Sequence, residues 1–158
     1  VHPHKVVAAQ RMGSYYLTNL IGNPLETTIA AASLVFGGVI ERHPNIRFCL
    51  SHAGGFTPFQ AGRFRHGWKV RKEPHVRLKG DPAESLARFV YDSITHAPGP
   101  LRFLLEEVGA DRIIFGTDYP FDMGTTRGVE EIEEAIADAA IRQKLFEGNA
   151  RRFFGLGA

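Results

Sequence analysis

The stretch Arg112–Gly124 reads RIIFGTDYPFDMG. Its apolar run, Ile113-Ile114-Phe115, stops at Gly116-Thr117 and delivers a carboxylate, Asp118, where the hydrophobic pattern ends. A short, nearly continuous apolar run closed by glycine is the pattern of a strand buried on both faces, as in parallel sheets. Two other runs share that form. NIRFCLSHAGG (Asn45–Gly55) carries Ile46–Leu50, apolar apart from Arg47, into Ser51-His52 and two glycines. FVYDSITH (Phe89–His96), rich in β-branched and aromatic residues, ends on a histidine. The chain opens on VHPHKVV, which reads as the tail of a further strand finishing at His2, with His4 two residues on.

Between these strands the pattern is helical. NPLETTIAAASLVFGGVIER (Asn23–Arg42) has Leu25, Ile29, Ala32, Phe36, Val39 and Ile40 at helical spacing, with Asn23 as an N-cap and Pro24 in the first turn. TPFQAGRFRHGWKV (Thr57–Val70) is a second helix, with Phe59, Phe64 and Trp68 for one face. PAESLARF is a short helix, and GPLRFLLEEVG an amphipathic one closed by Gly109. GVEEIEEAIADAA and IRQKLFEGNARRFFGL read as one acidic and one basic helix.

Strands alternating with helices predict βαβ units and a parallel sheet, an α/β fold. Three complete strands and one truncated strand are about half of an eight-stranded (β/α)8 barrel, which takes about 250 residues. The 158 residues are thus expected to form a single domain, 1–158, lacking the first four strands. Charge narrows the partners. A formal net charge of +2, with no block of about five or six like charges, points away from nucleic acid and from acidic membrane surfaces. The basic stretch GRFRHGWKVRK is read as a solvated helix face rather than a nucleic-acid site. No apolar run approaches the roughly 20 residues of a membrane helix. The one cysteine, Cys49, rules out an internal disulfide and fits a reducing, cytoplasmic setting. It sits inside a strand and reads as packing.

Parallel α/β folds bind ligands at the carboxyl ends of their strands. Those ends carry His2 (with His4 beside it), His52, His96 and Asp118. Imidazole and carboxylate can bind a metal or move a proton. Read singly, Asp118 is as well a turn cap, His52 a core histidine and His2 a chain end. The recurrence over four successive strands favours a shared site. His43, His66 and His75 fall at a helix end, on a helix and in a polar loop, and read as surface residues.

VHPH, LSHAGGFTPFQAGRFRHG and GADRIIFGTDYPF together resemble amidohydrolase family 2, in its decarboxylase branch, typified by aminocarboxymuconate-semialdehyde decarboxylase; the likeness runs through nearly the whole chain in order. What the resemblance implies is the C-terminal half of a metal-dependent (β/α)8 barrel. It assigns a divalent metal, most commonly zinc, to His2 and Asp118, and a general acid/base role to His52. Arg63 would reach into a neighbouring subunit's site to hold a substrate carboxylate, which makes the intact protein a homodimer. His4 and His96 are secondary candidates. The implied reaction is non-oxidative decarboxylation of an unsaturated or aromatic carboxylic acid. Hydrolysis of a lactone, amide or ester by the same groups is the alternative, and an inactive half-barrel binding module a third reading. The family's His-x-His pair of metal ligands on a first strand has no counterpart here, so the chain alone is expected to bind metal weakly and to catalyse little.

Overall fold

The computed structural model describes residues 9–157, so His2 and His4 lie outside the described residues. The chain divides into two compact units, Val1–Phe89 and Val90–Ala158.

In the first unit a π-helical turn at Thr18–Gly22 runs into α1, Asn23–Phe36, and a short α2 follows at Val39–Arg42. The sequence predicts one helix capped by Asn23, and the structure differs at both points. Asn23 is already helical and its side chain caps nothing, because the preceding turn keeps Gly22 in the right-handed helical region. The helix breaks at Gly37-Gly38, where Gly38 takes φ +65° and a Cβ would lie 2.7 Å from the Arg77 carbonyl oxygen. Only glycine combines that left-handed backbone with such a close approach. The buried face also differs from the apolar stripe. Thr27, Thr28, Ala31 and Val35 are buried, while Ile29 is exposed.

Strand β1 is Phe48–Leu50, with Leu50 fully buried and Phe48 packed edge-on against Phe89 at 6.2 Å between centroids. Helix α3 spans Thr57–Val70, the bounds read from sequence. Its Phe64 ring meets Phe36 of α1 edge-on at 5.5 Å, whereas Phe59 points to solvent. Helix α4, Pro82–Leu86, is capped by Asp81, whose carboxylate accepts the Ala83 N–H at 2.8 Å. Glu41 accepts the backbone N–H groups of Lys79 (3.1 Å) and Gly80 (2.6 Å), and Arg88 donates to the carbonyls of Ile40 and Pro44. These bonds hold the segment before β2 against the end of α2.

Strand β2, Phe89–Asp92, leads into the second unit, where it pairs in parallel with β3, Ile113–Ile114, in the register Tyr91 opposite Ile113 and Asp92 opposite Ile114. Helix α5, Pro98–Val108, is the crossover, burying Leu101, Leu104 and Val108 and ending at Gly109, φ +82°. This is the βαβ unit the alternation predicts. The remaining helices are α6, Gly128–Ala135, α7, Ala139–Gln143, and α8, Asn149–Phe154. The acidic helix read from sequence stops short, because Asp138 turns its carboxylate onto the N–H groups of Ala140 (2.8 Å) and Ile141 (3.2 Å) and starts α7 there. Asn149, 2% exposed, donates to the carbonyls of Ala110 and Ile113, both at 2.7 Å, and so ties α8 to the strand. Burial pushes the Tyr91 phenol up to about 12, with the Arg112 cation working in the opposite direction. No helix among the described residues is long and apolar enough to cross a membrane.

Candidate functional site

Each described strand is followed by a residue whose backbone lies in the left-handed region, and in all three cases a candidate site residue occupies it. His52 has φ +55°, His96 φ +57° and Asp118 φ +59°. Non-glycine residues are uncommon there, with His and Asp among the tolerated types. Holding one in such a conformation costs on the order of 1–3 kcal/mol, and such residues cluster at functional sites.

After β1 the effect is concentrated. His52, Ala53, Gly54 and Gly55 take φ of +55°, +52°, +76° and +60°, four positive angles in succession. The turn closes on itself through the Gly54 N–H to Ser51 carbonyl (3.0 Å) and Gly55 N–H to His52 carbonyl (2.8 Å) bonds. Its far end is fixed twice. A Cβ on Gly55 would sit 2.2 Å from the Pro24 carbonyl oxygen, so only glycine fits against the start of α1. The Phe56 N–H donates to the Thr28 hydroxyl at 2.8 Å, and that hydroxyl donates in turn to the Pro24 carbonyl at 2.8 Å. His52 itself is half-buried. Thr28 escaped the sequence reading, since a threonine inside a helix gives no local signal. The two glycines after His52 were the visible trace of the turn.

Arg63 lies on α3 and is exposed. It borders an open groove of about 390 Å³ lined also by Leu25, Phe36, Phe56 and Phe64. An apolar trough with one guanidinium at its margin suits a ligand that is apolar at one end and anionic at the other.

In the second unit Ser93 and Gly116, just beyond β2 and β3, are joined by the Gly116 N–H to Ser93 hydroxyl bond at 3.2 Å. Past it the chain makes a compact loop. The Thr125 N–H donates to the Thr117 carbonyl (2.8 Å), Phe121 to Asp118 (2.9 Å) and Gly124 to Phe121 (2.9 Å). The Asp118 backbone is therefore held on both sides, with its side chain half-buried. His96 is exposed.

Among the described residues no group of three or more His, Cys, Asp or Glu is placed to hold a metal. Of the two metal ligands the resemblance implies, only Asp118 is described, and a single carboxylate is fewer donors than a divalent ion takes. The described residues alone do not fit a metal centre.

Strand–helix alternation, with histidine or aspartate in a strained conformation after each strand, defines an α/β protein with its polar groups at the carboxyl ends of its strands. The chain belongs to the amidohydrolase family, whose pattern, described as Amidohydrolase, it matches over residues 1–156. It is 37% identical over 160 residues to the 2-amino-3-carboxymuconate-6-semialdehyde decarboxylase of Dictyostelium discoideum, covering 99% of this chain and 44% of that protein. The crystal structure of 2,6-dihydroxybenzoate decarboxylase complexed with 2,6-dihydroxybenzoate superposes with a TM-score of 0.85 at 26% identity, over 99% of this chain and 50% of that one. The dihydroxybenzoic acid decarboxylase of Polaromonas sp. JS666, solved with bound manganese and 2-nitroresorcinol, shares the fold at TM-score 0.85 and 24% identity, over 99% and 49%. The chain thus spans about half the length of the relatives it matches.

Proposed function

We propose that the full-length protein is a non-oxidative carboxy-lyase acting on an unsaturated or aromatic carboxylic acid, and that this chain forms the second half of its (β/α)8 barrel. One observation carries the reading: the left-handed turn that presents His52 at the end of β1. A fold keeps such strain where a side chain must be aimed. The family membership and the decarboxylases among the similar proteins support the reaction class.

In decarboxylation the bond between carbon and carboxylate breaks, its electron pair stays on the carbon, and that carbon must gain a proton as carbon dioxide leaves. Imidazole exchanges protons between about pH 5 and 8, and His52 is the proton carrier in this scheme. Arg63 holds the carboxylate of the substrate through its guanidinium fork, reaching it from the neighbouring copy of a homodimer. A divalent metal belongs to the scheme, with Asp118 and His2 among its ligands and the remaining donors outside this chain. Imidazole and carboxylate suit zinc; the bound manganese of the Polaromonas structure makes elemental analysis of the purified protein the deciding measurement. A cytoplasmic setting fits the single, half-buried Cys49.

The test is His52→Ala in the full-length protein, assayed for carbon dioxide release from 2,6-dihydroxybenzoate, 2-amino-3-carboxymuconate-6-semialdehyde and related acids. Loss of a positioned acid/base costs about 10²–10⁴-fold in turnover. Wild-type turnover in that variant would end the reading, and acid release without carbon dioxide from ester or lactone substrates would replace it with hydrolysis.

A further inference from the structure

The left-handed turn at His52–Gly55 needs an external restraint. For L-residues this conformation is unfavourable, and here both His52 and Ala53 bear it. The two glycines that follow bear none of it but are intrinsically the loosest residues in the chain. Left to itself, such a segment would relax to right-handed or extended backbone and carry the His52 imidazole away. Strain of this kind persists only where the surroundings over-determine it.

We infer that Thr28 is a positioning residue for His52, clamping the turn to the start of α1; this rests on the catalytic reading of His52 given above. Four observations converge on that clamp. The Thr28 hydroxyl is at once acceptor for the Phe56 N–H and donor to the Pro24 carbonyl, both at 2.8 Å. Thr28 is buried, so water competes poorly for either bond. Gly55 approaches the same Pro24 carbonyl so closely that a Cβ there would lie at 2.2 Å, so the Thr28 hydroxyl bond and the backbone contact meet at one oxygen. Finally, α3 begins at Thr57, and the Gln60 N–H bonds to the Phe56 carbonyl at 3.0 Å. Phe56 is therefore both the last residue of the loop and the first support of a long helix. Its N–H, bonded to Thr28, links α1 to the junction of the turn with α3. With β1 fixing the entry through buried Leu50, the loop that carries His52 is held at both ends.

The role differs from that of a residue touching substrate. The Thr28 hydroxyl bonds only to backbone groups, but the residue also lines the groove that Arg63 borders, so its positioning role is read on the imidazole and on proton transfer rather than on substrate affinity. Misplacing a reacting group by about an ångström costs on the order of a hundredfold in rate.

The experiment uses the full-length protein with Thr28→Val, Thr28→Ser and His52→Ala, at a temperature where circular dichroism shows each folded. Two readouts are taken: the His52 imidazole Cε1–H resonance, with amide exchange of Phe56, and kcat and KM across pH. Thr28→Val is expected to shift the imidazole resonance, accelerate Phe56 exchange and lower kcat on the order of ten- to a hundredfold. Thr28→Ser, which keeps the hydroxyl, restores all three. An unmoved resonance in Thr28→Val overturns the clamp whatever the kinetics. So does unchanged kcat in Thr28→Val when His52→Ala is inactive. If His52→Ala stays active, the catalytic reading falls by itself, and the clamp stands or falls on the resonance and the exchange rate.

Discussion

Thr27 and Thr28 are adjacent, both buried, and of opposite polar standing. Thr28 uses its hydroxyl twice. The Thr27 hydroxyl, on a residue with no exposed surface, has no hydrogen-bond partner among the described residues. Replacement by valine keeps the shape and the β-branch at either site, so helix propensity and packing change little. In Thr28→Val the Phe56 N–H loses its acceptor away from water, costing about 1–3 kcal/mol. Loss of the bond to the Pro24 carbonyl adds about 0.5–1 kcal/mol, since that oxygen keeps a second lone pair. In Thr27→Val a hydroxyl desolvated without return is exchanged for a methyl group, which is expected to stabilise by about 1 kcal/mol. The two isosteric changes should therefore differ by about 4 kcal/mol with opposite signs. At a urea dependence of about 2 kcal/mol/M this separates their midpoints by about 2 M. Equilibrium urea unfolding followed by circular dichroism reads the difference directly. Equal midpoints, or a Thr27→Val variant less stable than wild type by more than about 1 kcal/mol, would refute the hydrogen-bond accounting.

Four further outcomes are expected. Tyr91 has its phenol raised to about 12 in the folded protein against about 10 unfolded. The proton is thus held more tightly when folded, so this stability is complete below pH 10 and is lost as pH rises towards 12. The loss amounts to about 3 kcal/mol, and Tyr91→Phe should flatten that part of a stability-against-pH curve. Asp111 is held below the usual carboxylate range by its hydrogen bond and ion pair with Lys144 at 2.9 Å. Its contribution is therefore present above the ordinary carboxylate pKa and fades as pH falls; Lys144→Met should remove that acid-side dependence in thermal melts between acidic and neutral pH. Asn149→Ala leaves the carbonyls of Ala110 and Ile113 without their shared buried donor and should cost about 2–4 kcal/mol by chemical unfolding. At exposed His96, φ +57°, glycine should be more stable than alanine by about 1 kcal/mol, measured by comparing the two variants' unfolding midpoints.

Much of this protein can be read before it folds. The bounds of α3, the placement of β1, β2 and β3, and the glycine that ends α5 follow from apolar period and from punctuation by Gly and Pro, because those signals act within a few residues of one another. So does the position of His52, His96 and Asp118 after successive strands. Other features needed distant neighbours. The apolar stripe Leu25, Ile29, Ala32 and Phe36 is not the buried face of α1; Thr27, Thr28, Ala31 and Val35 are. Burial depends on what packs against a helix, and here one buried hydroxyl, that of Thr28, meets a loop N–H, that of Phe56. The break at Gly38 depends on the backbone of Arg77, nearly forty positions on. The left-handed turn holding His52 depends on Pro24 and Thr28. Sequence thus determined which residues could do chemistry and on which elements they ride. Tertiary structure alone decided how one of them is aimed, since a strained backbone angle in a non-glycine residue exists only while groups far along the chain hold it there.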